Sequence, residues 1–275
     1  MNEIINYFSS IPSSHRAMIL AGGITFFWVI ESVVPFVRFQ YNKWQHARIN
    51  IFFTVTTIVI NFCLAVILVK ASDWTVNHQF GLLHWLPKMN SWLFAIIGLL
   101  LLDLIGAYLA HLVEHKVRFL WRFHLIHHTD TWIDTTSANR HHPGESVLRF
   151  IFTTLGVLIV GSPMWMVFLY QTLSVVATQF NHANIVLPKK IDTFLSYFIV
   201  SPDMHKVHHH YVLPYTDSNY GNIFSVWDRL FGTYKTLDRG QLVYGVDTHM
   251  KPEEHNKLKN LLAIPFQKYR APKSD

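Results

Sequence analysis

The chain has 275 residues, 51% of them hydrophobic, and a formal net charge of +6. No basic, aromatic-interleaved face stands out, which excludes nucleic acid as a partner and assigns the charge to segments beside anionic lipid. The one cysteine, Cys63, excludes an intrachain disulfide and any cysteine-built metal site.

The first 16 residues carry acidic Glu3, little basic character and no small-residue cleavage site, so they do not read as a cleaved signal peptide. Runs of about 20 nearly uncharged residues suffice to cross ~30 Å of hydrocarbon. They predict spans at 17–37, 49–69 and 92–112. A longer apolar run, 147–180, is interrupted by Gly161-Ser162-Pro163 and reads as a helical hairpin. Arg38, Lys43 and Arg48 follow the first span without an acid, so the positive-inside rule places that connection in the cytoplasm. Alternation then puts 113–146 and 181–275 on the same side, as a cap. Within it, residues 191–200 form a short amphipathic stretch suited to the interface plane. The expected architecture is all-α: one domain over 1–275, an integral membrane bundle of about four spans with a helical cytoplasmic cap. In a bacterium it would sit in the inner membrane.

Ten histidines at metal-ligand spacings fall on the cap side of this topology. His111 and His115 are four apart, and residues at i and i+4 share a helix face. His124, His127 and His128 follow at i, i+3, i+4, which places three rings on one face. His205, His208 and His209 repeat that spacing, suggesting two similar half-sites, one per metal. His142, before Pro143, and His182, after the hairpin, gain weight from these neighbours. His141 and His210 adjoin expected ligands and are read as supporting or solvated. His15, His46, His78, His84, His249 and His255 lack ligand spacing and are read as ordinary.

Neutral imidazole is the commonest protein ligand of first-row transition metals, and ten of them exceed what one ion accepts. The pattern points to two metals in one pocket. Affinity alone admits zinc, copper, nickel or iron. Oxygen chemistry in a membrane pocket argues for two iron ions, with zinc entering the same ligands by mismetallation. Among the acids, Asp103 inside a span is either a partner of a ligand imidazole or of a hydroxyl or arginine in the bundle. Glu31 lies near a span end, and Glu114 and Glu145 flank the histidines as candidate supports. Two function classes remain open: an oxidoreductase, and a histidine-rich membrane metal transporter or metal-binding protein. Transporters hold their ligands near the bilayer midplane on broken helices, whereas these histidines lie outside the spans.

Several motifs between Leu101 and Tyr234 resemble the fatty acid hydroxylase and sterol desaturase superfamily. They are Tyr108 ahead of His111-Leu-Val-Glu-His115, Leu120-Trp-Arg-Phe-His-Leu-Ile-His-His128, Arg140-His-His-Pro143, Asn181-His182 and Pro202-Asp-Met-His-Lys-Val-His-His209. Asp217-Ser-Asn-Tyr-Gly221 and Trp227-Asp-Arg-Leu-Phe-Gly-Thr-Tyr234 continue the likeness. The chain departs at Leu112, Thr129 and His210, where many members carry other residues. The resemblance implies four core membrane helices, a cytoplasmic cap and a histidine-ligated di-iron centre. It also implies O2-dependent hydroxylation or desaturation of a lipid, fatty acyl or sterol-like. No haem-binding or cysteine-rich segment is identified, so electrons are expected from a separate donor: a ferredoxin, a cytochrome or a reductase. Lys251, Lys257, Lys259 and Lys268 are candidates for docking that donor or for attraction to anionic lipid.

Overall fold

The computed structural model describes residues 1–38 and 40–272, so the last three residues of the expected cap lie outside it. The regular secondary structure of the described residues is all helical. Extended backbone meets only at isolated bridges, Pro35 to Ile185, Ile199 to Phe224 and His210 to Tyr244.

In chain order the helices are α1 (Asn2–Ser9), α2 (Ser13–Val33), α3 (Lys43–Asn77), α4 (Leu82–Trp85), α5 (Ser91–Asp103), α6 (Ala110–Lys116), α7 (Arg118–His128), α8 (Pro143–Val160) and α9 (Met164–His182). Five short ones follow: α10 (Lys189–Leu195), α11 (Pro202–His208), α12 (Val226–Leu230), α13 (Pro252–His255) and α14 (Leu258–Ala263). Four helices are long and apolar enough to cross a membrane: α2, α3, the continuous helix Ser91–Lys116, and α8.

Their bounds differ from hydropathy for local reasons. The first stops at Val33 because Pro35 follows, and a proline cannot continue a helix. The second expected span is the middle of α3, whose 35 residues reach ~52 Å, well beyond the hydrocarbon. The helix begins early because the Asn42 side chain caps Gln45 N at 3.0 Å and because His46 and Asn50 find buried partners. Between α5 and α6 a π-helical turn, Leu104–Leu109, changes the register of the faces before and after it. The 147–180 run breaks at Gly161, whose φ of +76° caps α8 in the left-handed region. A Cβ at Gly161 would also strike Phe80 O.

The apolar core joins Leu102 of α5, Phe150 and Val157 of α8, Met166 and Val167 of α9, and Ile223 from beyond α11. At one end of the bundle a polar layer takes over. The Glu31 carboxylate at the end of α2 accepts from Thr135 N (2.7 Å) and Asn184 N (2.9 Å). Lys43 at the start of α3 lies 3.2 Å from it. Arg140, 1% exposed, donates to Ile126 O, Asn50 Oδ1 and His255 O. The ends of α2, α7 and α9 and the start of α3 are thereby tied together, and the histidines sit there.

Candidate metal centre

Nine of the ten expected histidines converge in two adjoining sets. His111, His115, His124, His128 and His208 form one, and His127, His182, His205 and His209 the other; the ligand nitrogens within each lie within 4.8 Å of one another. The i, i+3, i+4 boxes do not each build one half-site. In each box the i and i+4 rings go to one set and the i+3 ring to the other. His124 and His128 face the first set and His127 the second; His205 and His209 face the second and His208 the first. Helical geometry explains this, because i+4 returns to within ~40° of i while i+3 falls ~60° short on the other side. The doublets of α7 and α11 therefore straddle both sets. His128 and His209 lie 4.8 Å apart between ring centroids, across the boundary.

The tenth, His142, is in neither set. It caps α8, its Nδ1 accepting from Gly144 N at 2.9 Å, and its ring packs beside Phe123. Its neighbour His141 takes the inner place. His141 stacks on His127 with centroids 4.8 Å apart, and its Nδ1 lies 2.7 Å from Glu145 Oε1. His124, His141 and Glu145 form a third small ligand group.

In five of the nine rings the outward nitrogen is fixed, while Nδ1 of His127, His128, His205 and His209 is buried with no hydrogen-bond partner among the described residues. His111 Nδ1 donates to Tyr220 O (2.9 Å), His124 Nδ1 to Glu145 Oε1 (2.7 Å), and His208 Nδ1 to Ser218 O (2.6 Å). His182 Nδ1 meets Thr178 O (2.8 Å) and Asn181 Oδ1 (2.7 Å), and His115 Nδ1 meets Asp217 Oδ1 (3.3 Å). With the proton at Nδ1, a neutral ring presents a lone pair at Nε2. His111 Nε2 and His124 Nε2 nevertheless face each other at 3.1 Å. Lone pairs at that distance repel unless a cation lies between them. In the second set the Nε2 atoms of His182, His205 and His209 form a triangle with edges of 3.1, 3.3 and 3.2 Å. Three mutual hydrogen bonds are impossible there. Two imidazole nitrogens about 2.1 Å from a shared ion would lie roughly 3.0–3.4 Å apart, so the spacing is that of a coordination sphere. His115 Nε2 and His208 Nε2 are buried with no hydrogen-bond partner among the described residues.

Burial pushes the His124 imidazole down to about 3, against the upward pull of Glu145. His127, His128, His205 and His209 are held well below the usual range, first by burial and then by neighbouring rings. The rings are neutral at physiological pH, the form that binds metal.

Three acids take different places. Glu145 Oε1 serves His124, approaches His141 and accepts from Arg149 Nε at 2.9 Å; Arg149 also donates to Glu114 (2.7 Å). Asp103 touches no imidazole. It accepts from Ile223 N, Phe224 N and Trp227 Nε1. His46, read as ordinary, is the centre of a buried network, with Nε2 2.8 Å from Asp130 and Nδ1 3.1 Å from Asp134. Burial alone would raise the Asp130 carboxyl, but His46 and Arg140 outweigh it and hold Asp130 well below the carboxylate range. The sequence signal was Asp130 and Asp134 close after the His127-His128 doublet, although nothing in the local pattern links them to a residue 84 positions earlier.

The model of the fatty acid hydroxylase family matches residues 95–233, which hold all nine of these histidines. The chain belongs to this family. Among curated relatives it is similar to the ornithine lipid hydroxylase OlsE of Rhizobium tropici, at 25% identity over 157 residues, covering 57% of this chain and 46% of that protein. The alkylglycerol monooxygenase of Danio rerio is 26% identical over 217 residues, 74% of this chain and 44% of the relative. The human alkylglycerol monooxygenase is 30% identical over 148 residues, 52% of this chain and 31% of the relative. The chain thus aligns with less than half the length of each of these proteins. No solved structure matches it.

Proposed function

We propose that the protein is a membrane-bound oxidoreductase that hydroxylates a lipid, fatty acyl or sterol-like, using O2 and electrons from a separate donor. Residues 1–275 act as one domain, with the histidines on the cytoplasmic side. His111, His115, His124, His128 and His208 would hold one iron ion, and His127, His182, His205 and His209 the other. Bound iron supplies the oxidation of an unactivated C–H bond, which no side chain achieves alone. The protein's own share is orientation and exclusion of water. The Nδ1 acceptors fix the tautomers of His111, His115, His124, His182 and His208, Glu145 and Asp217 raise the basicity of His124 and His115, and the buried setting keeps solvent from the reacting atoms.

One observation carries this reading: paired Nε2 atoms whose Nδ1 protons are already committed face one another at 3.1 Å in the set that includes His111 and His124. The family match and the lipid-hydroxylating relatives supply the reaction class. The test is metal stoichiometry after anaerobic iron loading, with lipid analysis of the same cells. Two ions per chain with a new hydroxylated lipid, and in His127→Ala about one ion and no such lipid, supports the proposal. Two tightly held ions with an unchanged lipid profile would instead make the chain a metal-binding protein.

A further inference from the structure

Asp103 lies in the middle of the apolar helix Ser91–Lys116, ~18 Å from either end at the usual rise per residue. Its carboxylate holds chain from far downstream: Ile223 N at 3.3 Å, Phe224 N at 3.1 Å and Trp227 Nε1 at 3.1 Å. A second helix gives the same depth. Asn222 donates to Ser174 Oγ (2.7 Å) and accepts from Thr178 Oγ1 (2.8 Å) on α9. Ser174 precedes His182 by about two turns of helix, or ~12 Å. The segment around 222–227 therefore lies well below the histidine level, wedged against α5 and α9, with Ile223 inside the core of the bundle.

Backbone at membrane depth needs partners from the protein itself. Here it has them. Besides the Asp103 bonds, Val200 N donates to Ile223 O (3.0 Å) and Ser225 N to Phe198 O (3.3 Å). The outer face is apolar and open: Ile191, Phe194, Phe198, Val226, Leu230 and Phe231 are 40–66% exposed. A patch of large apolar side chains this continuous marks an interaction surface. The cation of this face, Arg229, is covered by the Tyr197 and Tyr234 rings and bonded to Ser225 O and Ser196 Oγ. Lys189 and Lys190 stand at the start of α10, where they would reach the headgroups.

We propose that the face formed by α10 and α12 is inserted in the bilayer, its occupant the acyl chains of the leaflet nearest the histidines. This rests on reading Ser91–Lys116 as a span. The wedge then forms the lipid-side wall of the metal centre: Phe231 stacks on Tyr108 (5.3 Å), which meets Tyr220 (6.2 Å), whose ring lies 5.6 Å from His111.

Site-directed spin labelling of the full chain in phosphatidylcholine vesicles tests it. In a Cys63→Ser background, single cysteines replace Phe194, Phe198, Leu230 or, as a control, Lys257. Labels at 194, 198 and 230 should collide readily with oxygen and lose access to a water-soluble nickel chelate, with the reverse at 257. A label on the native, exposed Cys63 of α3 reports the span itself. Hydrocarbon-like access at 63 with water-like access at 194 and 230 would overturn the wedge while leaving the span intact. Dipolar broadening between labels of two chains would assign the face to a protein contact and overturn it as well. None of these readouts depends on bound metal or on turnover.

Discussion

His127 and His128 are adjacent in sequence, yet their Nε2 atoms serve different sets: His127 meets His182 at 3.1 Å and His128 meets His124 at 3.1 Å. The same split separates His208 from His209. Each box therefore contributes to both sets, and a single substitution should disturb one set more than the other. His205→Ala and His208→Ala are expected to weaken different ions. Each should leave about one tightly held metal per chain where the parent holds about two. Elemental analysis after iron loading and desalting checks this; loss of both ions from each variant would show that the sets do not bind independently.

Glu145→Gln keeps the shape of the side chain but removes the charge shared by His124 and Arg149. An outer carboxylate of this kind typically contributes 10- to 100-fold in metal affinity. Competition against a calibrated chelator should show a loss of about that size, with the helical circular dichroism unchanged. An unaltered affinity would mean that Glu145 is only an ion-pair partner of Arg149.

The His46 network should matter for stability more than for metal. His46→Ala removes the ring that Asp130 and Asp134, both buried, share, leaving them only their hydroxyl and amide donors and, for Asp130, Arg140 at 3.9 Å. Breaking a buried pair from one side costs about 3–5 kcal/mol. The thermal midpoint of the detergent-solubilised protein should drop clearly, while metal stoichiometry at saturating iron stays at the parental value. A parental midpoint would contradict the network's assigned role.

Acid should destabilise the metal-free protein. His124 titrates near 6.5 when unfolded and near 3 when folded, because burial penalises its charge. Between those values the unfolded chain binds the extra proton, so stability is full above about 6.5 and declines as pH falls toward 3. His127, His128, His205 and His209 shift in the same direction and add to the slope. Thermal midpoints measured at pH 7 and pH 5 should differ, with the lower value at pH 5. A midpoint that is flat or rises on acidification would mean that these rings are not buried neutral.

Much of this was legible in the sequence because two periodicities are strong. Apolar runs located the long helices, and the four-residue spacing of His111 with His115 located a shared face. What the sequence did not reveal depends on long-range geometry. Hydropathy marks only the lipid-facing middle of α3, so its polar first turns, which carry His46 and Asn50, were invisible as structure. The choice between His141 and His142 depends on how Pro143 starts α8, which turns His142 outward as the cap and His141 inward toward Glu145. Asp103 was suspect because of its depth, but its partners are two backbone amides and an indole 120 or more residues downstream, which no local pattern encodes. The reading of three rings on one face failed because 60° of helical twist is enough to send the i+3 ring to the other set.

The most direct test follows oxygen. Cells producing the protein under 18O2 should yield a hydroxylated lipid carrying one 18O atom, absent when His127→Ala or His208→Ala replaces the parent chain. If the parent, loaded with two iron ions, yields no such lipid, or yields one whose new oxygen comes from water, the proposed oxygen-dependent lipid hydroxylation is wrong.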